Sequence, residues 1–149
     1  MATRSRIGMM LEDGTIKNCY CHFNGYIESN GLTLVESYDT EDKVKELINL
    51  GDISVLGSQI STDKPHTFEH REPGVTVFYG RDRKETGTEP VIMSMDEWLG
   101  EYSLRVDFLY LFTGGQWWVY EVLEKSGWNL VKSFFPQYSL TAEDLACNI

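Results

Sequence analysis

The sequence predicts an α+β fold: a single domain spanning 1–149, with an antiparallel β-sheet built from an N-terminal hairpin and a C-terminal meander, and two to three helices. Three observations predict it. Asp13-Gly14 separates two strand-like runs near the N-terminus. This dipeptide is a strong hairpin signal, because a two-residue type I′ turn needs positive φ at both central positions. The segment 41–50 repeats apolar residues at helical spacing. Three aromatic and β-branched runs, 105–112, 116–123 and 128–134, follow one another across glycine-bearing turns. A chain of 149 residues is one domain by default and long enough to bury its own core.

Each element has its own local reason. With Asp13-Gly14 as a two-residue turn, Glu12 faces Thr15, Arg6 pairs with Cys21 and Arg4 with Phe23. Arg4, Arg6 and Phe23 then share one face, and His22 takes the other. A slip of one residue would exchange the faces. Residues 24–31 read as a loop, followed by a short helix over 32–37. Thr40 with Asp39 caps a helix from Glu41 to Leu50, with Val44, Leu47 and Ile48 as its apolar face and a Glu41–Lys45 pair. Gly51 is the stop. Residues 52–60 are an irregular apolar stretch, and 61–75 a polar surface loop with two prolines. Residues 75–83, VTVFYGRDR, alternate like a strand entering a charged turn. Ser94 caps a short helix over 95–102, and 139–145 reads as a capped terminal helix.

Around Gly114-Gly115 the meander sorts Leu109, Leu111, Trp118, Tyr120 and Val122 onto one face and Phe108, Tyr110, Phe112, Trp117 and Val119 onto the other. Both faces are apolar, so each needs cover, from helices or from a second copy of the chain. The patch argument favours self-association.

Composition narrows the function. The net charge is −10, from 23 acids and 13 bases. That opposes general nucleic-acid binding, and no DNA partner is expected. No run approaches the roughly 18 apolar residues of a membrane span. MATRSR has no apolar stretch behind it, so a secretory signal is not expected. Cys19 and Cys21 lie about 7 Å apart along one side of a strand, which suits reduced thiols better than a disulfide. With His22, His66 and His70 they match no zinc-ligand spacing, and no metal or cofactor is expected. There is no nucleophile elbow, no framed catalytic cysteine and no phosphate-binding glycine loop. Nothing argues for an enzyme.

The segment Phe78-Tyr79-Gly80-Arg81-Asp82-Arg83 pairs aromatic rings with arginine forks suited to phosphate oxygens. On local sequence alone, a strand end with solvated charges is the favoured reading. The same applies to Arg4 and Arg6, which read as exposed edge charges that discourage aggregation.

Taken as a set, TRSRIG, DGTIK, YCHFNGY, KVKELINLGDISVLG and FYGRDR resemble the first-described family of phage Thoeris anti-defence proteins. These motifs run over roughly residues 3–83; the C-terminal meander carries little of the likeness. The resemblance implies a sponge in the cytoplasm of the infected bacterial host. It binds cyclic ADP-ribose isomers made by bacterial TIR proteins and holds them without cleavage. It also implies a homodimer, or a hexamer of dimers, with the pocket near the dimer interface; some members hold cyclic oligonucleotides at a separate site. Carried onto this chain, Phe23 or Tyr79 would stack on the base, Arg6, Arg81 and Arg83 would meet the pyrophosphate, and Asn24 a ribose. Phe23 and Asn24 stand where the family pattern has Trp and Asp, and Ile27 where Pro is common, which leaves the isomer open. Two other classes remain: an acidic protein–protein inhibitor of a host enzyme, suggested by the charge, and a cyclic-nucleotide hydrolase.

Overall fold

The first two strands, β1 (Ser5–Met10) and β2 (Ile16–Cys21), form the expected hairpin, with a register one residue away from the expected one. Gly14 N–H donates to Leu11 O at 2.9 Å, Leu11 N–H donates to Thr15 O at 2.8 Å, and Gly14 alone has positive φ, at 86°. This is a three-residue loop, Glu12-Asp13-Gly14, in which a tight turn ends in a left-handed glycine. Asp13 Oδ1 accepts from Thr15 N–H at 3.0 Å and from its hydroxyl at 2.6 Å, which fixes the loop. Arg6 therefore pairs with Tyr20 and Ile7 with Cys19, not Arg6 with Cys21. The computed structural model describes residues 2–125, 127–138, 140, 141 and 144.

The remaining elements follow in chain order. A single wide turn at Ile27–Gly31, where a plain loop was expected, leads into α1 (Leu32–Ser37) and then α2 (Glu41–Asn49). The Thr40 side chain accepts from Lys43 N–H, and Lys45 sits 3.1 Å from Glu41, as the capping and spacing predict. Next come β3 (Ile53–Val55), β4 (Val77–Phe78), the one-turn helix α3 (Tyr79–Arg83) and β5 (Val91–Met93). Helix α4 (Met95–Gly100) is capped by Ser94 and runs into a tight turn at Tyr102–Arg105. The meander is β6 (Phe108–Thr113), β7 (Gln116–Glu121) and β8 (Trp128–Leu130). The helix expected over 139–145 lies outside the described residues except at Leu140, Thr141 and Asp144. There, Thr141 and Asp144 exchange two hydrogen bonds, as at a helix start.

The eight strands form one sheet in the order β4-β3-β2-β1-β6-β7-β8, with β5 on the outer edge of β2. The hairpin and the meander join through β1 and β6, which run parallel, as do β2 and β3. The sheet is thus mixed at these two seams, because the chain returns to each partner from the same end. Helices α1 and α2 cover one face, where Ile7, Tyr110, Val119, Leu34, Leu47 and Ile48 are fully buried. On the other face Trp98 of α4 is 0% exposed and packs with Ile16, Leu109 and Leu111. Gly8 makes room for it: a Cβ there would stand 3.1 Å from the Trp98 ring and 2.8 Å from Ile16.

Both meander faces sort as the alternation predicts, and the chain covers each with its own helices. The apolar face that suggested self-association is occupied by α4. Removing its anchor should be costly: Trp98→Ala is expected to lower stability by about 3–5 kcal/mol. Urea unfolding followed by far-ultraviolet circular dichroism measures this. A loss below about 1 kcal/mol would show that α4 does not hold that face.

Candidate functional site

The one-residue register difference decides what the hairpin carries. Because Arg6 pairs with Tyr20, both point to the same sheet face as α4. His22 is two residues on from Tyr20 and so on that face too; the Tyr20 hydroxyl and His22 Nδ1 are 2.7 Å apart. Arg4 is two residues before Arg6, and the charges of both arginines act on the Tyr20 hydroxyl. Arg4, Arg6, Tyr20 and His22 thus gather at the end of the hairpin, beyond the cover of Trp98. The sequence pairing had separated His22 from the arginines.

Arg6 is the centre of this group. It is half-buried, its Nε donates to Asn18 Oδ1 at 2.6 Å, and its guanidinium lies 5.0 Å from the Tyr102 ring centroid. Among the described residues it makes no ion pair. Burial pulls its pKa down, only partly opposed by the more distant Asp52. Asp52 is engaged elsewhere: its Oδ1 accepts from Tyr20 N–H at 2.9 Å, and burial raises its carboxyl above the ordinary range. A cation held out of water without a counter-ion is an unmet electrostatic demand.

Asp52 also shows why β2 can hold two partners. Its outer edge is taken by β5 from Ile16 to Asn18 and by β3 at Cys21. The Asp52 carboxylate covers the Tyr20 N–H in the gap, and Asp52 O accepts from Tyr79 N–H at 3.1 Å. Tyr79 is half-buried, and its hydroxyl acts electrostatically on Tyr20.

The six residues singled out from sequence do not converge on one pocket. Arg6 sits in the hairpin cluster. Phe23 is 39% exposed beside it, its ring 4.5 Å from and edge-on to that of His22. Asn24 is exposed at φ 61° and serves as a backbone bend, its carbonyl accepting from Asn30 N–H. Tyr79 lies three strand positions from Arg6, roughly 14 Å at the spacing of a sheet. Arg83 lies farther out, exposed, its guanidinium 4.9 Å from the Phe68 ring centroid.

Arg81 turns inward. It donates to Ile60 O at 2.7 Å, Thr76 O at 3.0 Å and both Asp82 oxygens, and lies over the Phe78 ring. Residues 79–83 are a helical turn because Asp82 reaches back to accept from Phe78 N–H at 2.8 Å. Burial works against that carboxylate, but the bonds from Arg81 and Phe78 and the Arg81 and His66 charges outweigh it and hold its pKa low. Sequence reasoning missed Tyr20, Asp52, Tyr102, Phe68 and Arg71. Only Tyr20 had a signal, its two-residue spacing from His22.

Cys19 and Cys21 face the core and are fully buried. Burial pushes the Cys21 thiol up to about 12 and raises that of Cys19 as well. Cys147 lies outside the described residues. No group of three or more His, Cys, Asp or Glu among the described residues could hold a metal ion, and no described helix is long and apolar enough to cross a membrane. The chain matches no family model, no curated protein and no solved structure.

Two outcomes follow from this geometry. Arg81→Met should cost about 1.5–3 kcal/mol of stability, because it strips a charged donor from buried acceptors; an unchanged urea midpoint would return Arg81 to the ordinary surface. Alkylation at pH 8 with mapping by mass spectrometry should leave Cys19 and Cys21 unmodified in the folded protein and label both in urea. Labelling without denaturant would contradict their burial.

Proposed function

We propose that this protein binds a nucleotide of the cyclic ADP-ribose type at the end of the N-terminal hairpin and holds it intact, lowering the free concentration of a signal in a phage-infected bacterium. The single observation that carries the reading is Arg6, a half-buried guanidinium with no ion-pair partner among the described residues. Arg4 supplies a second cation on the same face, and the Tyr20–His22 pair supplies hydrogen-bonding groups. Two arginines match the charge of a pyrophosphate. The exposed Phe23 ring offers a face for adenine, and Asn24 an amide for a ribose hydroxyl. TRSRIG and YCHFNGY, two motifs that carry the family likeness, supply the cluster. The family likeness adds a second copy of the chain, which would close over the ligand.

The hydrolase reading keeps one observation of its own. Tyr20 and His22, 2.7 Å apart with Asp52 nearby, form an acid–base pair beside two cations. One experiment separates the two. The protein is incubated with the nucleotides made by a TIR enzyme, washed and denatured, and the released material is identified by mass spectrometry. Release of an intact cyclic nucleotide supports the sponge. A linear product supports the hydrolase. An empty protein contradicts the sponge, and a linear product in the wash then supports the hydrolase.

The site assignment has its own outcome. Arg6→Ala should weaken binding measured by calorimetry by about 10- to 100-fold, the worth of one or two charge-assisted hydrogen bonds. Unchanged affinity would remove Arg6 from the site.

A further inference from the structure

A second cationic group stands on the loop between β3 and β4, and it goes beyond the proposed nucleotide site. Phe68 is half-buried, and the guanidinium carbons of Arg71 and Arg83 each lie 4.9 Å from its ring centroid. The Tyr79 ring supports Phe68 at 5.9 Å. Arg71 Nε donates to Phe68 O at 2.9 Å, which fixes the fork, and among the described residues its terminal nitrogens make no hydrogen bond or ion pair. Arg83 has only a long approach to Glu85, 3.8 Å at Nε. Lys84, with φ 63°, is locked at the end of α3 by its N–H to Gly80 O, and with Arg83 and Phe68 it lines an open groove of about 580 Å³.

The loop is held as a built element. His66 is 7% exposed; its Nδ1 accepts from Glu72 N–H at 3.0 Å and its Nε2 stands 3.4 Å from Asp82 Oδ2. Phe68 N–H donates to Asp82 O at 3.3 Å, and Thr67 and His70 exchange two further bonds. The His66–Glu72 bond thus closes the 66–72 segment, and Phe68 N–H joins it to the turn that carries Arg83. In a chain of net charge −10 this places three cations on one held loop and the turn it packs against.

We propose that Arg71 and Arg83, each set on the Phe68 ring, and Lys84, which lines the groove beside Arg83, form a binding site for a phosphate monoester. The ring serves as the platform for the forks, so their N–H edges, not a free aromatic face, meet the ligand. Two guanidiniums suit the nearly dianionic monoester better than a singly charged diester. The groove also carries the Glu69 carboxylate and that of Asp82, which Arg81 already occupies; both favour a compact anion seated on the arginine side. By strand spacing, the backbone that carries Arg83 stands about 14 Å or more from that of Arg6, so the two groups of cations belong to different elements.

The test is a nuclear magnetic resonance titration of the full-length, ¹⁵N-labelled protein at constant ionic strength. The probes are inorganic phosphate, phosphoserine, AMP and dimethyl phosphate, read at the backbone amides of residues 66–72 and 79–84 in every variant and also at the Arg71 and Arg83 side chains where these are present. The monoesters and inorganic phosphate should bind at least tenfold more tightly than dimethyl phosphate. The double variant R71A/R83A, at two exposed positions, should lose at least tenfold, and R71K/R83K should not restore it. Arg6→Ala should leave the titration unchanged. Tighter binding of AMP than of phosphoserine assigns the monoester to nucleotides, and equal binding assigns recognition to the phosphate alone. Equal response to dimethyl phosphate, or full affinity in R71A/R83A, overturns the proposal. A response lost in Arg6→Ala but kept in R71A/R83A assigns the anion to the hairpin, overturning this site while leaving the nucleotide reading standing.

Discussion

The three-residue turn from Leu11 to Thr15 determines which residues of the first two strands share a face. A left-handed glycine closes it, and a carboxylate bonded to the Thr15 amide and hydroxyl holds it. From that turn, Ile7, Met9, Cys19 and Cys21 go to the side that α1 and α2 bury, and Arg6, Asn18 and Tyr20 go to the other. Every later strand inherits this choice, because β1 sits at the centre of the sheet and β6 pairs with it in step. A one-residue slip would place Arg6 against the apolar helices and expose Ile7. That arrangement would lose the burial of Ile7 and strip Arg6 of Asn18 and the Tyr102 ring, its partners on the observed face.

The same constraint produces the hairpin cluster. Trp98 covers its face as far as Gly8 and the Tyr102 ring reaches Arg6, but the cover ends there. Beyond it stand Tyr20, His22 and Arg4. On the outer edge of β2, the Asp52 side chain fills the gap between β3 and β5, and it makes no ion pair with Arg6. Fold and electrostatics are linked at this point: the carboxylate that completes the sheet edge acts on the half-buried cation only through space.

Much of this was legible in the sequence where the causes are local. Helix α2 was read with its Thr40 cap, its Glu41–Lys45 pair and its buried Val44, Leu47 and Ile48, because each depends on residues within one or two turns. The two faces of the meander were legible from alternation alone. The hairpin register was not, because Asp-Gly suits either a two-residue turn or the last two positions of a three-residue one. The strand expected in residues 75–83 enters its charged turn after Phe78, and the turn is helical because Asp82 caps it, which alternation does not reveal. Arg81 resembles a surface ligand contact in sequence, but its acceptors are the Ile60 and Thr76 carbonyls, 21 and 5 residues away. Phe68 and Arg71 were hidden because their pairing with Arg83 exists only once the loop has folded onto α3.

The hairpin register is therefore the claim on which the rest depends, and cross-strand nuclear Overhauser effects in the free protein test it most directly. The account predicts contacts linking Arg6 with Tyr20 and Ile7 with Cys19, together with side-chain contacts from Arg6 to the Tyr102 ring. Contacts linking Arg6 with Cys21 and Arg4 with Phe23 would contradict it, and with it the cluster at the end of the hairpin.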